Sequence, residues 1–277
     1  MNYRHAYHAG NHADVLKHLC LLALTDALAR KLTPYFVLDT HAGEGRYALN
    51  SEQAGKTGEA AAGIGKLKPA PGDAPALRRY FDAVQPHLAQ GFYPGSPQLV
   101  ADALRDSDRL ACCELHPEPA AQLKTLFAGE RRIGVHQRDG YDAMKALLPP
   151  PEKRGLVLID PPYETQLAEF DTALAALRTA LARWPQGIYA LWYPIKQRRT
   201  LQPFLRRAAN LPAKNIWTAE LSVRPDDSPL RMNGSGMLII NPPWQLDDTL
   251  ATALPRVAAT LGEKGAGGWR LEWLKRE

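Results

Sequence analysis

The most specific chemistry in the sequence lies in Asp160-Pro161-Pro162-Tyr163, directly after the apolar run Leu156-Val157-Leu158-Ile159. Two successive prolines stiffen the loop and remove two amide donors, leaving their carbonyls as acceptors. A carboxylate, rigid acceptors and an aromatic ring suit an exocyclic amino group on a planar base. Asp160 and the Pro161 carbonyl would each accept one N–H. The nitrogen lone pair then faces an incoming methyl group, with Tyr163 stacked on the ring. The bland alternative is a rigid turn with a buried tyrosine. A rival loop, Asn241-Pro242-Pro243-Trp244, also follows an apolar strand. Too few residues come after it to complete a sheet, so it reads as a structural end to the last strand.

Three further acids follow strand-like runs. Asp39 ends Tyr35-Phe36-Val37-Leu38 and leads into Thr40-His41-Ala42-Gly43-Glu44-Gly45. The glycines allow a tight turn and close approach to a ligand. A dinucleotide fingerprint would need a third glycine where Ala48 stands. The preceding acid would repel a pyrophosphate but suits a ligand with a cationic amino group, such as S-adenosylmethionine. Glu114 ends the second run, where an acid accepts from ribose hydroxyls in nucleotide-binding sheets. Asp139-Gly140 follows the third and could accept from an adenine amino group. Any one of these acids alone is more often a helix cap or surface charge.

The elements that must position these groups alternate. Strand-length apolar runs are expected at 35–39, 110–114, 133–136, 156–160, 188–192, 216–223 and 237–240. Helical periodicity is expected at 11–30, 117–128, 140–148, 165–183 and 197–209. Continuous hydrophobicity within the strands predicts an α/β fold with a mostly parallel sheet covered on both faces. Such sheets bind ligands beyond the carboxyl ends of their strands. Residues 50–92 break the rhythm and read as an insertion holding a helix from Ala76 to Leu88. The expected organisation is a core of 1–49 and 93–277 with an inserted helical subdomain at 50–92.

Composition narrows the function. A chain of 277 residues, 45% hydrophobic and 23% charged, is long enough for a full core and excludes global disorder. No run approaches the ~18 consecutive apolar residues of a membrane helix. The first residues lack the apolar core of a signal peptide. Cys20, Cys112 and Cys113 cannot form a disulfide framework, so a reducing, cytoplasmic compartment is expected. The net charge of +5 suggests a polyanionic partner. Residues 194–214 hold Lys196, Arg198, Arg199, Arg206, Arg207 and Lys214 without an acid, either a solvated face or a phosphate footprint. His8 and His12 have the spacing of a helical metal pair, but no third ligand follows, so no metal is expected. The basic and aromatic residues there could instead clamp a nucleic-acid strand.

Several of these segments together resemble the RlmJ family of bacterial 23S ribosomal RNA adenine-N6 methyltransferases. They are Tyr3-Arg4-His5 leading into His8-Ala9-Gly10-Asn11-His12-Ala13-Asp14-Val15-Leu16-Lys17-His18, then Leu38-Asp39-Thr40-His41-Ala42-Gly43, Tyr93-Pro94-Gly95-Ser96-Pro97, Asp160-Pro161-Pro162-Tyr163-Glu164 and the Gly236 to Trp244 tail. The resemblance runs nearly end to end and is least anchored at 50–92. It implies a class I methyltransferase fold, Rossmann-like and seven-stranded, with a helical insertion. It implies S-adenosylmethionine held by His18, His41, Ser96, Glu114, Asp139, Gly140 and Asp160, beside the Asp39 and Gly43 loop. Asp160 would be the catalytic acceptor, and Tyr3, His5 and Lys17 would meet 23S ribosomal RNA. Glu44 stands where a small residue is expected between the glycines. The protein is expected to act as a monomer, since no heptad or interface pattern is visible. The competing functions are a DNA adenine-N6 methyltransferase with the same loop, and an RNA-binding module with a dead site.

Overall fold

A computed structural model of the chain describes residues 8–50, 58–163, 165–229 and 232–277. The first helix, α1 (His12–Ala29), begins at Asn11, whose side chain accepts from the Ala13 and Asp14 amides. Such a cap satisfies donors that a helix start leaves open. α1 is buried nearly all round, including Leu16, Leu19, Lys17 and His18. A helix apolar on most faces belongs inside a fold rather than on its surface.

Strands β1 (Phe36–Asp39), β4 (Arg109–Glu114), β5 (Ile133–Gln137), β6 (Gly155–Ile159) and β7 (Ile188–Ile195) pair in parallel. Strands β8 (Ile216–Ser222), β9 (Gly234–Ile240) and β10 (Gly268–Lys275) extend the sheet by antiparallel pairing. Their order across the sheet is β10-β8-β9-β7-β6-β1-β4-β5. Without β10, this is the class I methyltransferase order. The expected seven strands are all present, and β10 is an addition at the edge. Its residues alternate between apolar and charged (Trp269, Arg270, Leu271, Glu272, Trp273), the pattern of a half-covered strand rather than a continuous apolar run.

Helices cover both faces. One carries α1 together with α3 (Pro75–Leu88), α4 (Ser96–Ala103), α5 (Pro117–Leu126) and α9 (Leu246–Leu261), whose core includes Leu16, Tyr80, Val100, Leu123 and Leu254. The other carries α6 (Gly140–Leu147), α7 (Gln166–Arg183) and α8 (Arg198–Ala209), packed through Met144, Phe170, Leu177 and Phe204. Burying one such side chain contributes roughly 1.5–3 kcal/mol. Phe170 and Phe204 stack with ring centroids 4.2 Å apart, locking α7 to α8.

The segment between β1 and β4 leaves and returns through a short ladder, β2 (Arg46–Ala48) against β3 (Phe92–Pro94). It carries α2 (Glu59–Ala62) and α3. Leu77, Tyr80, Phe81 and Val84 on α3 are buried in the same core as α1. The Tyr80 and Tyr93 hydroxyls meet at 3.1 Å, and His18 Nδ1 lies 2.9 Å from the Tyr93 hydroxyl. Among the described residues, no helix is long and apolar enough to cross a membrane. All three cysteines are buried.

Candidate active site

Register brings the acids to one edge. Asp39 pairs with Cys112 on one side and Leu158 on the other, while Glu114 pairs with Gln137. Asp39, Glu114, Asp139 and Asp160 therefore follow or end neighbouring strands at the carboxyl edge. A cavity of about 380 Å³ opens there, lined by Lys17, His41, Gly43, Ser96, Glu114, Asp139, Gly140 and Asp160 among others. This is where chain order switches direction across the sheet, between β1's two neighbours.

Each wall has a local cause. The Glu114 carboxylate accepts from the Gly43 amide (3.0 Å) and the His116 amide (2.8 Å), which fixes it at the wall. Gly43 has φ +61°, and a Cβ there would fall 2.2 Å from the Tyr47 hydroxyl. Asp139 caps α6 by accepting from the Asp142 amide at 2.9 Å. A Cβ on Gly140 would sit 2.1 Å from the Thr40 carbonyl oxygen, so this helix can approach the β1 loop only as glycine. His41 Nδ1 lies 2.7 Å from the Thr40 hydroxyl, and burial lowers its pKa to about 4, keeping the ring neutral near pH 7.

Asp160 is held through one of its two oxygens. Its Oδ2 accepts from Lys17 Nζ at 2.5 Å, and Lys17 also contacts Asp14 Oδ1 at 2.8 Å. Lys17 is 4% exposed. Burial opposes its charge, but the Asp14 and Asp160 carboxylates outweigh burial and raise its pKa. Asp160 Oδ1 has no protein donor among the described residues. Nor does a donor reach the Pro161 carbonyl among those residues.

Four sequence-predicted residues are not on the cavity wall. His18 is fully buried behind it, stacked on Tyr93 at 5.4 Å. Asp39 is also fully buried; it accepts from the Ser96 hydroxyl at 2.6 Å and the His41 amide at 3.3 Å. Burial lifts its pKa to about 6, with the Ser96 hydrogen bond pulling the other way. Asp39 thus holds two wall residues in place from behind the wall. Pro161 is buried, and Pro162 forms the wall in its place. Tyr163 donates its hydroxyl to the Trp192 carbonyl at 2.7 Å and meets Phe170 and Trp192 edge-on. That placement favours a brace between the loop and β7 over a stacking platform. Lys17 is on the wall but sealed against carboxylates, not presented to solvent as a backbone-binding lysine would be. Tyr3 and His5 lie outside the described residues.

The sequence reading missed Leu115, Tyr141 and Glu169, all on the wall. Leu115 is 49% exposed, an apolar side chain directly after the ribose-type acid. Tyr141 donates to Glu169 Oε1 at 2.5 Å and meets the His41 ring edge-on at 5.3 Å. Adjacency to Glu114 and Asp139 could have flagged the first two. Glu169, in the first turn of α7, carries no local signal. Among the described residues, no group of His, Cys, Asp or Glu is arranged to hold a metal ion.

A pinned carboxylate, an apolar neighbour, a helix start that admits only glycine and a second acid across the cavity form a set of acceptors and apolar surface suited to a nucleoside with a cationic tail. The comparisons agree with this geometry. The family described as "Ribosomal RNA large subunit methyltransferase D, RlmJ" matches residues 32–275. The chain is 39% identical over 281 residues to "Ribosomal RNA large subunit methyltransferase J" of Haemophilus influenzae, covering 100% of both chains. It is equally similar, 39% over 281 residues and 100% of both, to the Escherichia coli K12 protein of the same name. A crystal structure of a Legionella pneumophila protein superposes with a TM-score of 0.85 at 33% identity, covering 96% of this chain and 98% of that one. Family and fold together imply S-adenosylmethionine as the methyl donor. With its sheet order, its carboxyl-edge cavity and these full-length relatives, the chain belongs to the RlmJ family of ribosomal RNA large subunit methyltransferases.

Proposed function

We propose that the protein methylates N6 of an adenine in 23S ribosomal RNA, with Asp160 as the group that holds the reacting amine. The observation that carries this reading is the position of Asp160. It follows β6 at the cavity wall, and one carboxylate oxygen is fixed by Lys17 while the other has no donor among the described residues.

S-adenosylmethionine, when bound, supplies an electrophilic methyl group on a sulfonium sulfur. The residues suited to hold it are Glu114 for ribose hydroxyls, Asp139 and Gly140 for the adenine end, and Ser96, His41 and Gly43 along the wall. His18 and Asp39 support that wall from behind. Lys17 sets the orientation of the Asp160 carboxylate rather than binding backbone phosphate. Asp160 Oδ1 supplies the acceptor at the wall for one N–H bond of the target amine; the Pro161 carbonyl, in the same loop behind Pro162 and without a donor among the described residues, is the proposed acceptor for the second. With both directions occupied, the lone pair stands clear of the base plane. Asp160 takes the proton as positive charge develops on nitrogen, and a positioned acceptor of this kind contributes about 10²–10⁴-fold. Correct alignment of the amine supplies much of the remainder. The adenine must be unstacked, because its amino group is inaccessible in a stacked duplex. Tyr163 braces the loop through Trp192. Tyr3 and His5 complete the proposal as RNA contacts on the strength of the resemblance. The core at 1–49 and 93–277, with 50–92 inserted, is the proposed domain organisation, and a monomer in the cytoplasm the proposed working form.

The test is methyl transfer from labelled S-adenosylmethionine to 23S ribosomal RNA lacking the modification, beside duplex DNA. Label in N6-methyladenosine from the RNA alone is the expected result. Label confined to DNA would establish the rival enzyme. Tight S-adenosylmethionine binding with no transfer to either would contradict the assigned activity.

A further inference from the structure

We propose that Lys196, Arg199 and Arg206 form a phosphate track that carries the RNA away from the cavity; this rests on the proposed RNA substrate. The starting observation is the acid-free stretch at 194–214. Structure divides its cations into two sets. Arg198 is bound to Glu220 at 2.6 Å, Arg207 to Asp171, and Lys214 lies 3.9 Å from Glu277. Lys196, Arg199 and Arg206 are exposed and have no carboxylate partner among the described residues. The Arg199 side chain donates to the neutral Gln197 amide oxygen, at 3.1 Å.

The free set starts at the active edge. Tyr163 of the catalytic loop donates to the Trp192 carbonyl at 2.7 Å, and Gln166 donates to the Pro194 carbonyl at 3.3 Å. These bonds hold the last residues of β7 against the loop that carries Asp160, and Lys196 comes directly after β7. Arg199 is in the first turn of α8, which returns toward the opposite edge of the sheet. Arg206 is seven residues further, on the same helical face and about 10 Å along the axis. Lys196 just before α8, and Arg199 and Arg206 on it, therefore descend from the cavity's neighbourhood.

A row of cations with no carboxylate partner among the described residues, beside a site for an unpaired base, fits the backbone of single-stranded RNA. Such contacts carry no sequence information; they set the register of the strand. Paired arginines on the same helix are already neutralised and contribute less. Within 194–214 the aromatic Phe204 is buried, which suits backbone contact rather than base stacking there.

The experiment compares two triple variants of the full chain. One is Lys196→Gln, Arg199→Gln and Arg206→Gln. The other, with the same charge change, is Lys31→Gln, Arg131→Gln and Lys153→Gln, three exposed residues in loops that precede parallel strands at the far edge. Affinity for a 23S ribosomal RNA fragment is measured across a salt series, with S-adenosylmethionine affinity and thermal melting as checks on the fold. The track variant should bind RNA about tenfold more weakly at low salt, and its log–log salt slope should be shallower by about 2, from three lost single-strand contacts. Methylation of that fragment should show the loss in KM with kcat retained at saturating RNA. Equal affinity and slope in the two variants would overturn the track. Failure of the unaltered protein to methylate ribosomal RNA at all would instead overturn the functional reading on which it rests.

Discussion

Two loops of this protein share one sequence plan and stand at opposite edges of one sheet. Asp160-Pro161-Pro162-Tyr163 follows β6, whose Ile159 pairs with Leu191 in mid-β7. Asn241-Pro242-Pro243-Trp244 follows β9, whose Ile240 pairs with Tyr189 near the start of β7. Because β9 runs against β7, its end lies at the amino edge, away from the cavity. Strand direction, and not the motif, decides which loop can do chemistry. The polar residues show the same division. Asp160 keeps one carboxylate oxygen without a donor among the described residues, whereas Asn241 spends its amide on the Pro185 and Gly187 carbonyls, both at 2.8 Å, in a left-handed conformation (φ +54°). The aromatic residues differ too: Tyr163 is tied to Trp192, while Trp244 is 78% exposed.

The largest expected effect comes from Asp160→Ala. Turnover on ribosomal RNA should fall by about 10²–10⁴-fold with the fold retained, as read by initial rates and circular dichroism. Retained turnover would transfer the chemistry elsewhere. Asn241→Ala should do the reverse. It removes two partly exposed hydrogen bonds and places alanine in a left-handed conformation, so denaturant titration should show a loss of about 1–2 kcal/mol while S-adenosylmethionine affinity is kept.

A pH prediction sharpens the contrast between edges. Asp39 has a folded pKa of about 6 against an ordinary 3.8, raised by burial. A raised carboxyl contributes stability that is full below about pH 4 and is lost as pH rises through 6. Asp39→Asn removes that loss, so the variant should gain on the unaltered protein between pH 4 and 7, by on the order of 2–3 kcal/mol. His12 and His41, both lowered to about 4 by burial, change stability in the opposite direction over an overlapping range. They are present in both proteins and cancel in the difference. A difference flat with pH would mean that Asp39 is not buried as described. The smallest effect belongs to Trp244→Ser, which should shift stability by no more than about 0.5 kcal/mol and leave methylation unchanged.

Much of this was legible in the sequence, for identifiable reasons. Strands buried on both faces, such as Leu156-Val157-Leu158-Ile159, are continuous apolar runs, and acids at their ends fall on one edge once the strands are parallel. Three-residue strands such as β2 and β3 have no periodicity to read, and β10 carries charges on alternate positions. Lys17 illustrates a different loss. Lysine is almost never fully buried unless paired, and its partners Asp14 and Asp160 become neighbours only through tertiary packing. Glu169 belongs to the same class, since its contact with Tyr141 joins two helices. Asp39 looked like a ligand-binding acid because it ends its strand, but the Ser96 hydroxyl and His41 amide take its oxygens.

The most direct test of the account is nucleoside analysis of unmodified 23S ribosomal RNA incubated with S-adenosylmethionine and either Asp160→Ala or Asn241→Ala, at a temperature where both are folded. N6-methyladenosine should form with Asn241→Ala at close to the unaltered level and be nearly absent with Asp160→Ala. The opposite pattern, or equal product from both, would contradict the assignment of chemistry to the carboxyl edge.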